Sequence, residues 1–91
     1  MRESAIERYF CMRVKAAGGL AYKWVSPGNA GVPDRIVITP KGRIYFVELK
    51  APSGKLSKKQ RFQIARLGSR NHTVYVLNSI AEVDAWFGDT L

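Results

Sequence analysis

Apolar side chains at Ile6, Phe10, Val14 and Ala17 recur every three or four residues, which places them on one face of a helix, and Gly18-Gly19 can end it. The spacing therefore predicts a helix over Glu3 to Ala17. Leu20 to Val25 reads as a short strand, and the turn formers Ser26-Pro27-Gly28-Asn29-Ala30-Gly31 predict a flexible loop before Val32-Pro33. Asp34 to Thr39 and Arg43 to Lys50 are rich in Ile, Val, Tyr and Phe, and Pro40-Lys41-Gly42 between them suits a tight hairpin turn. Ala51-Pro52-Ser53-Gly54 breaks the second of these strands. Ser57-x-x-Gln60 then has the form of a capping box opening a helix that ends near Gly68. Thr73 to Asn78 is a last strand, and Ser79-x-x-Glu82 opens a closing helix through Ala85, Trp86 and Phe87. The order is αβββαβα, with no internal repeat and no linker longer than a loop.

If the three-residue turn pairs Thr39 with Arg43, the same register sets Ile36 opposite Phe46 and Asp34 opposite Glu48. Directly opposed side chains have Cβ atoms about 4.5–5.5 Å apart, so two carboxylates would repel there unless a proton or a cation lies between them. A divalent metal is the natural remedy. Alternation puts Lys50 on the face of Glu48, which gathers two acids and an ammonium at the strand ends. The plainer alternative is a solvated ion pair of Asp34 and Lys50 with Glu48. Along the hairpin, Val37, Tyr45, Val47 and Leu49 occupy one face and Ile36, Ile38, Ile44 and Phe46 the other. Helices are therefore expected on both faces of the sheet.

The length of 91 residues and mass of 10.2 kDa fit one domain, residues 1–91, and 46% hydrophobic with 24% charged residues is the composition of a folding chain. Fifteen Lys+Arg against seven Asp+Glu give a net charge of +8, which points to an anionic partner, with nucleic acid foremost. Basic residues run from Arg2 to Arg70 rather than along one amphipathic helix, which argues against a membrane surface. Cys11 stands alone, so neither an internal disulfide nor a sulfur-based zinc site is expected, and a reducing compartment fits best. No stretch approaches the roughly 20 apolar residues of a membrane span, and the N-terminus lacks the apolar run of a signal peptide. A cytoplasmic protein is expected.

Gly31-Val32-Pro33-Asp34 before one strand and Val47-Glu48-Leu49-Lys50 at the end of the next, with 13 residues between the two acids, are the halves of a nuclease signature. With the acid-bearing first helix, the loop from Ser26 to Arg35, the run Phe46 to Pro52, and Gln60 after Leu56-Ser57, the chain resembles a stand-alone VRR-NUC domain of the PD-(D/E)XK nuclease superfamily. The resemblance covers nearly the whole length. It implies a restriction-endonuclease-like α/β core, a mixed central sheet flanked by helices on both faces.

The same resemblance implies that Asp34 and Glu48, with the Leu49 carbonyl, hold Mg2+ or Mn2+, ions that suit oxygen ligands. It gives Lys50 a place beside the attacking water and the scissile phosphate, against the plainer role of structural counter-ion. A first-helix glutamate near the metal is also implied. Glu3 and Glu7 share a helical face, and Glu7 is favoured because its distance to Gly18 and the first strand resembles that in related junction resolvases, although Ser4-x-x-Glu7 has the form of a capping box. Gln60 is both the capping-box residue and the family's glutamine, and its helical position beside Leu56, Ile64 and Leu67 points it to the sheet.

Lys23, Arg35, Lys55, Lys58 and Lys59 are candidate phosphate contacts, with Ser26, Asn29 and the amides of their loop following the DNA backbone. Trp24, Trp86 and Phe87 are expected in the core or an interface, and nothing marks His72 as catalytic. Phe62 faces away from the sheet, where a partner subunit could cover it. The resemblance implies a metal-dependent, structure-selective DNA endonuclease acting near branch points, with Holliday junctions first and a homodimer cutting symmetric strands. No small-molecule cofactor is expected, and the resemblance to small free-standing members implies a phage or prophage protein in a bacterial host. Two alternatives stand beside it: a non-catalytic DNA-binding module of the same fold, and a monomeric flap or nicking nuclease.

Overall fold

A single hairpin turn sets the register of the sheet. In the computed structural model, which describes residues 1–90, Gly42 adopts φ +84 and its N–H bonds the Thr39 carbonyl at 2.9 Å. Only a residue without Cβ takes that left-handed conformation cheaply, so Gly42 closes the turn. Thr39 N–H reaches the Arg43 carbonyl at 2.9 Å, and the strands β2 (Arg35–Ile38) and β3 (Ile44–Leu49) pair Ile36 with Phe46 and Val37 with Tyr45. This is the expected register. The strand β1 (Leu20–Lys23) pairs antiparallel on the outer side of β2, and β4 (Val74–Leu77) pairs parallel to β3. A parallel neighbour needs a crossover, which the helix α2 (Lys58–Gly68) provides. The four-stranded mixed sheet has the order β1-β2-β3-β4.

The helices α1 (Glu3–Ala16) and α3 (Ile80–Thr90) cover one face of the sheet. Ile6, Phe10 and Val14 from α1 and Val83, Trp86 and Phe87 from α3 close over Val37, Val47, Leu49 and Leu77 in one buried cluster. Phe10 lies 5.4 Å from the Trp86 ring and 5.7 Å from that of Phe87, tilted contacts that add to an apolar burial of about 1.5–3 kcal/mol per side chain. Trp86 and Phe87 are thus core residues, as expected. At the rim, Asp84 of α3 accepts hydrogen bonds from Tyr9 Oη at 2.6 Å and from the Arg13 guanidinium, which also lies over the Phe87 ring.

The other face is covered unequally. The helix α2 lies against β4 with Gln63 buried and Ile64 and Leu67 half-buried, but it is one short helix over four strands. Leu20, Tyr22 and Ile44 on that face stay 46%, 58% and 58% exposed. The expectation of helices on both faces therefore holds for the architecture, but not for the extent of cover. No helix among the described residues is long and apolar enough to cross a membrane.

Candidate active site

The register that pairs Arg35 with Val47 carries one step further, to Asp34 and Glu48. Asp34 N–H donates to Glu48 Oε1 at 3.1 Å, and Leu49 N–H donates to Asp34 Oδ2 at 2.9 Å. Each acid is therefore held by the backbone of the opposite strand. β1 extends the row, since Trp24 N–H donates to the Asp34 carbonyl at 3.0 Å. Alternation sets Trp24, Asp34 and Glu48 side by side on the face of α2.

Glu48 is 1% exposed, and its Oε2 is buried with no hydrogen-bond partner among the described residues. A bare carboxylate oxygen in such a place is costly. Burial, then the hydrogen bonding and charge of Asp34, push the Glu48 carboxyl up to about 8, against the opposing pull of the Lys50 ammonium and the Asp34 N–H. A buried acid beside a second acid, with a free oxygen, is the donor set of an oxygen-preferring divalent cation. The residues present fit such an ion.

Lys50 continues β3 beyond its last ladder pair, its N–H on the Leu77 carbonyl at 2.9 Å, and its side chain is 13% exposed. Its Nζ lies 4.0 Å from Glu3 Oε1. Of the two candidate glutamates, the structure brings Glu3 to Lys50. Glu7 instead accepts from Arg35 Nε at 2.9 Å, and no cluster of three His, Cys, Asp or Glu able to hold a metal forms among the described residues. The structure thus places Glu7 apart from the acidic pair. The reason is alternation: Arg35 shares the face of Val37 beneath α1, opposite to Asp34, and draws Glu7 there. The Ser4-x-x-Glu7 capping box also does not form, since α1 begins from Arg2 with no side-chain cap.

Among the candidate DNA contacts, Arg35 is committed inside the protein, because its Nη1 bonds the Ala21 carbonyl at 3.1 Å while Nε holds Glu7. Lys23, Lys55, Lys58 and Lys59 are exposed, the last two in the first turn of α2, where no acid balances them. Cations at a helix N-terminus are unfavourable unless an anion comes to them. Ser26 and Asn29 close their own turn, Asn29 N–H on the Ser26 carbonyl and Nδ2 on its Oγ, each at 3.0 Å. Gln60 serves the helix start: its Oε1 accepts from Ser57 N–H at 2.8 Å, and its N–H donates to Ser57 Oγ at 3.1 Å. The glutamine buried toward the sheet is Gln63, three residues on, whose Nε2 reaches the Ala30 carbonyl at 3.4 Å. The helical period marked this face, but it did not separate two glutamines that both border it.

Gly31 joins the loop to α2. It has φ +94, and a Cβ there would lie 2.4 Å from the Lys59 carbonyl oxygen and 2.8 Å from Gln60 N. No flexible side chain can move aside to relieve that clash. Gly31→Ala is expected to cost about 2–3 kcal/mol, combining backbone strain with overpacking, read as a lower urea midpoint with an unchanged slope.

Acid, acid and lysine on adjacent sheet strands, flanked by helices, define a core of the kind that cleaves phosphodiesters. The match to known proteins is specific. The family model described as the VRR-NUC domain matches residues 11–81. A relative named "Putative nuclease p44", from Acyrthosiphon pisum secondary endosymbiont phage 1, is 49% identical over 79 residues, spanning 87% of this chain and 85% of its own. A solved structure described as a VRR_NUC domain superposes with a TM-score of 0.90 at 33% identity, covering 98% of this chain and 97% of that one. The chain belongs to the VRR-NUC family of nuclease domains.

Proposed function

We propose that this protein is a metal-dependent, structure-selective DNA endonuclease acting at branched DNA, with four-way junctions as its first substrate. The observation that carries the reading is the buried, orphaned Oε2 of Glu48 beside Asp34. Asp34, Glu48 and the Leu49 carbonyl would hold Mg2+ or Mn2+, which when bound supplies charge to a phosphate oxygen and acidifies a water.

The residues of the chain do the rest. The backbone bonds to Asp34 and Glu48 hold the two carboxylates in place before substrate arrives, so little reorganisation is needed during the reaction. Lys50, anchored through its N–H to β4, brings a positive charge to the negative charge that develops on the phosphate. Lys55, Lys58 and Lys59 neutralise backbone phosphates without reading bases, and the exposed turn from Ser26 to Asn29 offers amides to the same strand. Phe62, 59% exposed on the outer side of α2, suits burial in a homodimer, and two symmetric sites would match the two symmetric strands of a junction.

The test uses labelled four-way junction, flap and duplex DNA with Mg2+, Mn2+ or chelator, alongside sedimentation. Metal-dependent incision of the junction by a dimer, absent in Asp34→Ala, is the expected result. Binding without incision under any metal would make the protein a DNA-binding module. Cutting of flaps by a monomer would overturn the junction reading alone.

A further inference from the structure

Directly along the sheet from the acidic pair lies a cavity of about 520 Å3, roofed by α2 and walled by Trp24, Phe46 and His72. Phe46 precedes Glu48 by two residues on the same strand face, so the cavity begins about 7 Å from the acid. Its aromatic wall is continuous: Trp24 and Phe46 centroids are 5.3 Å apart, and His72 meets Phe46 edge-on at 5.6 Å. Trp24 and Phe46 are only half-buried and His72 is exposed, so these rings are not sealed in a core. Trp24, expected in the core or an interface, is half-buried and lines this cavity.

The polar groups complement the rings. Gln63 is buried at the inner wall, and its Oε1 takes no hydrogen bond among the described residues, while Nε2 makes one long contact to the Ala30 carbonyl. Arg66 and Arg70 stand exposed at the rim, and no acid lines the cavity. Flat aromatic walls, an amide free to pair with a heterocycle edge and cations for flanking phosphates are the features of a site for an unpaired base. Arg66 lies over Phe62 at 5.9 Å and Arg70 donates to Ser69 Oγ at 2.7 Å, but neither meets an acid there, and an apolar peptide would bring them no anion and leave the amide unanswered.

We propose that this cavity receives a nucleobase unstacked from its strand, adjacent to the phosphate held at Asp34 and Glu48. The protein then recognises a branch point by drawing out a nucleotide where stacking is already interrupted, which extends the nuclease reading and rests on it only for the position of the cut. Extruding a base costs more in a continuous duplex, stacked on both sides, than at a branch point, so selectivity for branched over continuous duplex follows from that difference.

The test is binding in EDTA, where no incision occurs, so it stands or falls separately from catalysis. Single-stranded oligothymidylate is compared with an abasic strand of equal length and charge. Oligothymidylate is expected to bind about tenfold more tightly and to quench tryptophan emission, the usual effect of one base stacked on an aromatic ring. Trp86 is buried in the core, so the quench reports Trp24 and should vanish in Trp24→Phe, which keeps a ring for folding. His72→Ala, at an exposed position, should lower oligothymidylate affinity several-fold and leave abasic and duplex affinity unchanged. Equal affinity for abasic and base-bearing strands, a quench that persists in Trp24→Phe, or equal losses on all three ligands in His72→Ala would each overturn the proposal. If the base-dependent binding is found while no metal yields incision, the pocket stands and the nuclease reading falls.

Discussion

Glu48→Gln is expected to abolish cleavage and yet raise the melting temperature of the metal-free protein at pH 8 by about 10 °C. The sign follows from proton linkage. Glu48 binds its proton up to about pH 8 in the folded state, against an ordinary value of 4.5. Between those values the folded chain holds more protons than the unfolded one, so stability is greatest at the acid end and falls as pH rises through the window. At 1.36 kcal/mol per unit the upper bound is on the order of 4–5 kcal/mol, and relaxation of the site should leave about 2 kcal/mol, roughly 10 °C for a domain of this size. Glutamine keeps the shape and cannot ionise, so its melting curve should not share the decline. Mg2+ should stabilise the native protein more at pH 8 than at pH 6, because the cation competes with that proton, and should not shift Glu48→Gln. Thermal melts at several pH values with and without chelator read all of this. Parallel decline of both proteins with pH would place the acid elsewhere.

Lys50→Met is expected to lower the incision rate about 10²–10⁴-fold while the protein stays folded, metal-binding and able to hold DNA. The side chain is mostly buried, but its one ion pair among the described residues is with Glu3 at 4.0 Å, with Glu3 47% exposed, and an ion pair that loose contributes about 0–1 kcal/mol. Methionine preserves the aliphatic stem, so packing survives. Lys50 also opposes the upward shift of Glu48, and the variant should hold the Glu48 proton to a still higher pH. Single-turnover cleavage, a melt and a binding curve on one preparation separate the roles: a structural counter-ion would lose stability together with rate. Loss of fold rather than of rate would return Lys50 to the structural role.

The hairpin was the most legible element, because a three-residue turn ending in glycine leaves one register, and that register alone sets Asp34 beside Glu48. Helix limits were readable for a similar local reason. Ser57 and Gln60 form the box their spacing implied, and Ser79 Oγ accepts the Glu82 N–H at 3.1 Å, although the Glu82 carboxylate turns to Asn78 N–H instead. What local spacing could not show were contacts made across the fold. Glu7 and Arg35 are 28 residues apart, and only the packing of α1 on the far face of the sheet brings them together. The same holds for Trp24, whose apolar ring suggested burial, but whose exposure depends on how little of the sheet α2 spans. Burial pushes the half-buried Cys11 thiol up despite the nearby Arg35 charge.

The contact at Gly31 bears on affinity as well as on stability. A loop free to wander must be ordered by its ligand, at about 1–2 kcal/mol for each backbone residue fixed. Here the glycine lets the loop backbone rest on the first turn of α2, so the loop proposed to follow the DNA backbone is held against the helix start that carries Lys58 and Lys59. Preorganisation of this kind leaves more of each phosphate contact as net binding, which is how a chain of so few residues can grip a large polyanion.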